Sequence, residues 1–178
     1  MTEPTETGLR PPGPLSALGL AIIAAVVAVD QITKAIAEAR LDYQHGIELL
    51  PILALYRVHN TGVAFSFAHG FDSLLLVGGT ALITLVVLWL WATARDGGRL
   101  VAIGFALITG GAIGNLIDRA TFGYVIDYIL FHTPVWSFAI FNLADAFITV
   151  GAGLVLLQEL VDWRRGDGTR EPEPPSGR

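Results

Sequence analysis

Four long apolar stretches organise the chain. Residues 11–29 carry no charge, are followed by Asp30 and Lys34, and continue apolar to Ala37. Residues 73–94 are an uncharged block of 22 and residues 100–117 one of 18. Residues 138–157 are apolar apart from Asn142 and Asp145. A bilayer core is crossed by about 20 apolar residues of helix, so the pattern predicts four transmembrane helices. Between the first two, residues 41–72 hold the β-leaning runs 52–58 and 63–67, split by Asn60, Thr61 and Gly62. That pattern predicts two short strands around a turn, apolar enough to lie on the membrane surface. The fold class expected is an all-α integral membrane protein, with four transmembrane helices and a small extracytoplasmic β-rich cradle between helices 1 and 2.

Residues 15–163 form one membrane domain in this reading. Residues 1–14 and 164–178 are rich in Pro, Gly, Thr and Glu, a composition that predicts disordered cytoplasmic tails. Ala37-Glu38-Ala39 has the small-x-small pattern of a signal-peptide cleavage site. Asp30 and Lys34 interrupt the approach to it and only Arg10 precedes the apolar region, so a retained first helix is expected.

Orientation follows from the cations. With the N-terminus inside, the inner segments hold Arg10, Arg95, Arg99, Arg164, Arg165, Arg170 and Arg178, and the outer ones only Lys34, Arg40, Arg57 and Arg119. The short loop from Arg95 to Arg99 weighs most, since short loops follow the rule best. Both termini are then cytoplasmic. Trp89, Trp91, Trp136 and Trp163 fall near span ends, as an aromatic belt places them.

Composition sharpens this picture. Hydrophobic residues are 53% of the 178 and charged residues 15%, against about 25% charged in ordinary soluble domains; mean hydropathy is +0.59. The net charge of −5 is spread along the chain without a basic cluster, so nucleic-acid binding is not expected. The absence of Cys excludes thiol catalysis and Cys-based zinc sites. His45, His59, His69 and His132 lack the spacing of a metal site, and no G-x-S-x-G, P-loop or G-x-G-x-x-G occurs. No metal and no cofactor are expected.

An ionisable residue inside a membrane helix marks a functional site unless shown otherwise. Asp145 lies seven residues after Phe138, about 10 Å into the fourth span if that span starts there, and Asn142 shares its face. Asn115, Asp118 and Arg119 share a face at the end of the third span, where Gly110 and Gly114 let another helix approach closely. For Asp118 a local pair with Arg119 is an equally good reading. Asp127 lies among Val125, Ile126 and Tyr128, either as a buried functional acid or as the N-cap of a short interfacial helix. Asp30 and Lys34, at i and i+4, read as a helix-end ion pair or a snorkelling Lys. Two carboxylates from different elements, Asp145 with Asp127 or with Asp118, could share a proton and hydrolyse a peptide through one water. The residue pattern leaves that choice open. It also leaves a small proton-coupled transporter or channel subunit, with Asp145 carrying protons, and a purely structural membrane subunit.

DQITK at 30–34, VHNTGVAFSF at 58–67, GGAIGNLIDRATFGYVIDYI at 110–129 and FNLADAFITVG at 141–151 together resemble the bacterial lipoprotein signal peptidase (signal peptidase II) family. The resemblance implies an aspartic endopeptidase of the cytoplasmic membrane. Such an enzyme removes signal peptides from diacylglyceryl-modified prolipoproteins, cleaving before the lipidated Cys. It implies no metal or organic cofactor; the partners expected are those substrates and membrane lipids, and the chain is expected as a monomer. It puts the catalytic pair on Asp127 and Asp145, near the outer face. Asn60, Asn115, Arg119 and Asn142 then hold substrate or shape the site, with Asp30, Lys34 and Asp118 supporting. Ala139, Ile140 and Phe147 depart from the family's usual residues.

Overall fold

Helix α1, Ala17–Arg40, starts where Ser16 accepts the Gly19 N–H at 3.1 Å, a side-chain cap for one of the helix's unpaired donors. The computed structural model describes residues 11–62 and 71–167. Helix α2 spans Phe71–Thr93. Helix α3, Gly98–Phe122, begins after Gly97 and ends at Gly123, both left-handed at φ 95° and 81°. The Gly123 N–H returns to the Arg119 carbonyl at 3.1 Å, a turn glycine makes at least cost. Helix α4 spans Leu143–Asp167. All four helices are long and apolar enough to cross a membrane. Leu75, Leu82, Ile83 and Leu85 on α2 and Leu156 on α4 stay exposed, as side chains solvated by lipid do.

Helix α3 packs against the other three. A Cβ at Gly110 would come within 2.7 Å of Val26, and one at Gly114 would strike the Asp30 carboxylate. The predicted small-xxx-small pair is therefore the seam with α1, and it brings the two backbones close. Gly111 faces the Ala144 carbonyl on α4 in the same way. Toward the other end, Trp91 packs with Ala102 and Ala106 and donates its indole N–H to the Pro12 carbonyl at 2.8 Å. Residues 11–14, expected as disordered tail, are thus tied to the bundle, and residues 164–167 continue α4. The rest of the expected tails lies outside the described residues.

A four-stranded antiparallel sheet caps the bundle in the order β1-β2-β3-β4. Strands β1, Gly46–Leu50, and β2, Leu53–Asn60, come from the α1–α2 connection; β3, Val125–Thr133, and β4, Trp136–Ser137, come from the α3–α4 connection. The hairpin turns at Pro51 and Ile52, because Leu50 pairs with Leu53 and proline supplies the turn's φ. β2 ends at Asn60, whose Oδ1 accepts the Gly62 N–H at 2.9 Å with Gly62 at φ 68°, and the predicted strand at 63–67 lies outside the described residues. The cradle is also not built from residues 41–72 alone. The β-branched and aromatic run after Gly123 joins β2 as a strand, which removes the short-helix reading of Asp127.

The fourth helix begins later than its apolar run suggests. Phe141 is extended: its N–H donates to the Ile129 carbonyl at 3.0 Å, and its carbonyl accepts from Ile129 at 2.8 Å and from Tyr128 at 3.1 Å. Asp145 consequently lies in the first turn of α4, not about 10 Å along a span.

Candidate active site

Asp127 lies opposite Val58 in the β2–β3 ladder, and Asn60 lies opposite Val125. Directly paired residues share a face and a strand alternates, so Val58, Asn60, Val125 and Asp127 all point to the same side. From the diagonal position Asn60 Nδ2 donates to Asp127 Oδ2 at 2.9 Å. The other carboxyl oxygen, Oδ1, accepts from Asn142 Nδ2 at 2.7 Å. Asp127 is 1% exposed. Burial pushes its carboxyl up to about 6, against the two amide donors that hold it down, and the nearby Asp145 charge adds to the rise.

Asp145 is placed by the start of α4. Asn142 Oδ1 accepts the Asp145 N–H at 3.1 Å, and Asp145 Oδ2 accepts the Asn142 N–H at 3.3 Å. This reciprocal pair is a capping box in which an Asn and an Asp take the usual roles. Asn115 Nδ2, from α3, donates to the remaining oxygen, Oδ1, at 2.8 Å. Asn142 Nδ2 also reaches Asn115 Oδ1 at 3.1 Å. One fully buried residue, Asn142, therefore holds Asp127 by its amide and Asp145 by its main-chain N–H.

Beneath this pair lies a buried ammonium. Lys34 Nζ is 2.8 Å from Asp30 Oδ2, 2.8 Å from Asp118 Oδ2 and 2.9 Å from Asn115 Oδ1, which uses its three protons on three acceptors. Lys34 is 1% exposed and Asp30 and Asp118 are 0%. The i, i+4 ion pair expected at 30 and 34 forms, but buried and shared with Asp118 and Asn115, so Lys34 does not snorkel. Asp118 likewise pairs with Lys34 and not with Arg119. Asp30 Oδ1 accepts the Ala144 N–H at 3.1 Å, and Asp118 Oδ2 the Ile126 N–H at 3.2 Å. The two acids thereby tie the elements carrying Asp145 and Asp127 to α1 and α3. Gln31 Nε2, which the motif reading did not single out, donates to Asp118 Oδ1 at 2.8 Å. Its place one turn below Lys34 was the available signal.

Of the nine residues singled out, eight form this one connected network. Arg119 does not join it: among the described residues its Nε is buried without a hydrogen-bond partner. A cavity of about 510 Å³ opens beside Asp145, walled by Trp136, Phe138 and Phe141 on one side and Thr149 and Val150 on the other. Two adjacent acids, one with a raised pKa, beside an apolar cavity suit acid–base hydrolysis of a bond carried in by an apolar substrate.

Known proteins agree in kind. The family profile described as signal peptidase (SPase) II matches residues 22–161. The lipoprotein signal peptidase of Mesorhizobium japonicum is 54% identical over 152 residues, covering 85% of this chain and 90% of that protein. That of Brucella ovis is 51% identical over 146 residues, covering 82% and 91%. A solved structure described as a bacterial membrane enzyme superposes with a TM-score of 0.75 at 25% identity, covering 85% of this chain and 97% of that one. A second of the same description gives 0.74 at 26%, covering 90% and 96%. The transporter and channel reading finds no support among them.

Proposed function

The chain belongs to the signal peptidase II family, and from that membership we propose that Asp127 and Asp145 are the catalytic pair of a bacterial membrane aspartic endopeptidase. Its activity is removal of signal peptides from lipoprotein precursors. The substrates proposed are diacylglyceryl-modified, cut before the lipidated Cys, with the lipid tails left in the bilayer. The single observation that carries the catalytic assignment is Asn142, hydrogen-bonded to both carboxylates at once.

Asp127 holds the shared proton, in keeping with the burial that raises its pKa, and Asp145 is the ionised base. Water donates a proton to Asp145 as its oxygen adds to the scissile carbonyl carbon, while Asp127 gives its proton to the carbonyl oxygen. Collapse of the tetrahedral intermediate returns that proton to Asp127. The C–N bond breaks, and the leaving amine takes the proton from Asp145. The amides of Asn60, Asn115 and Asn142 hold the carboxyls in register, so that little reorganisation accompanies the charge shift.

In this reading both termini face the cytoplasm, the sheet lies on the outer membrane surface, and the pair works at the outer boundary, where water reaches. The enzyme acts as a monomer, without metal or cofactor. Arg119, outside the hydrogen-bonded network, is kept for the substrate. The test is cleavage of a lipid-modified precursor by purified Asp127→Asn and Asp145→Asn proteins. Each is expected to lose at least about 10³-fold in kcat, and near-normal turnover by either overturns the assignment.

A further inference from the structure

The face of the β2–β3 ladder turned away from Asp127 carries a second cluster. Because strands alternate, Arg57 and His59 point there, with Ile126 opposite His59 in the register and Tyr124 two residues before it. The His59 ring stacks on Tyr124 at 3.9 Å and 16°, and lies 4.8 Å from Tyr43, tilted by 45°. His59 Nε2 is 3.0 Å from Glu38 Oε1, near the end of α1. Arg57 Nη1 donates to the Glu38 carbonyl at 2.9 Å and lies 3.6 Å from the same carboxylate oxygen. Arg57 also stands over the Tyr43 ring at 5.8 Å. The clamp joins α1, the α1–β1 connection, β2 and the entry to β3, one residue before Asn60.

We propose that His59 is a positioning residue for the proteolytic reaction: gripped by Glu38 and Tyr124 on one face of β2, it fixes the end of that strand so that Asn60, on the other face, keeps its amide on Asp127 Oδ2. The inference rests on Asp127 being catalytic, as proposed above. Asn60 is the last residue of β2 and is itself exposed; its Oδ1 accepts the Gly62 N–H at 2.9 Å, which sets the amide's turn, and its main chain pairs with Val125 at the end of the ladder. The clamp at His59 adds the side-chain grip that holds this strand end against α1. Val58 is spaced against Asp127 within the ladder, whereas the His59 ring is bound by stacking and by a carboxylate together. The charged and titratable groups facing His59 are Glu38 from α1, Tyr43 from the connection, Arg57 from β2 itself and Tyr124 from the entry to β3. Those acting on Asp127 are Asp145 and Lys34.

Loss of the grip frees the Asn60 amide. Asp127 then loses a donor to its ionised form and keeps its proton to higher pH. In the full-length enzyme cleaving a lipid-modified precursor, His59→Ala is expected to lower kcat about 10-fold with KM little changed, and to move the alkaline limb of the pH profile up by about half a unit. His59→Gln, which can still donate to Glu38, recovers part of the loss. Glu38→Ala, which leaves the ring in place, reproduces it in part and serves if His59→Ala does not fold. In an Asn60→Ala background His59→Ala costs nothing further, because the effect passes through that amide. An unmoved alkaline limb in both His59→Ala and Glu38→Ala, or losses that multiply in the Asn60→Ala background, overturns the inference. Activity retained by Asp127→Asn instead overturns the catalytic assignment, so the two failures are read separately.

Discussion

Lys34 Nζ donates to Asn115 Oδ1 across 2.9 Å, and that contact decides which way the Asn115 amide points. With Oδ1 taken by the ammonium and by Asn142, only Nδ2 remains for Asp145. A cation on α1 thus orients a carboxyl on α4 without touching it.

Replacing Lys34 by Met keeps the stem and removes the charge. Asp30 and Asp118 are then buried without their cation, and breaking a buried pair in this way costs about 3–5 kcal/mol. The Lys34→Met protein is expected to melt well below the parent in detergent and to lose activity. A melting temperature equal to the parent's would show that the ammonium is not needed to hold the two acids.

Activity should follow the proton on Asp127. Its pKa is raised to about 6 by burial, and deprotonation removes the general acid. In a pH series, kcat/KM, which reports the free enzyme, is expected to fall as pH rises above about 6. Stability runs with the same sign. A carboxyl raised in the folded state contributes fully below its unfolded value of 3.8 and loses that contribution as pH rises through about 6. Thermal melts across that window test the second half of the expectation. An alkaline limb that is unchanged in Asn60→Ala would argue against Asp127 as its source.

The α1–α3 seam is predicted to reject side chains. A methyl at Gly114 would meet the Asp30 carboxylate that Lys34 holds. Gly114→Ala should cost about 1–3 kcal/mol by overpacking and reduce activity, whereas Gly78→Ala, with nothing within 4 Å, should do neither. Comparing the two melting curves isolates the seam from any general effect of losing glycine.

Accessibility tags give the orientation. Gly97 and both termini should be reachable only from the cytoplasm, and Gly62 and His132 only from outside. A cytoplasmic Gly62 would put the proposed site on the wrong side of the membrane.

The four helices were legible because a bilayer imposes a length of apolar chain that soluble packing does not. The acids stood out because a carboxylate among Val, Ile and Phe needs a reason. Local pattern could not choose between Asp118 and Asp127; only resemblance broke that tie. In the structure Asp118 is paired with Lys34, while Asp127 faces two amides and feels the Asp145 charge. An i, i+4 Asp–Lys pair looks the same in sequence whether water or another helix covers it, and here α3 covers it.

The sequence by itself determined the number of spans, the chemistry available at their ends and the close approach at Gly110 and Gly114. Residues 125–133 carry a β-branched and aromatic run that leans to a strand locally, but only the tertiary structure decided that it pairs with β2, some seventy positions earlier. It also decided where α4 starts: the apolar run from Phe138 suits a helix or an extended chain equally, and the hydrogen bonds between Phe141 and β3 settle it. Those two non-local pairings bring Asp127 and Asp145 to the same asparagine.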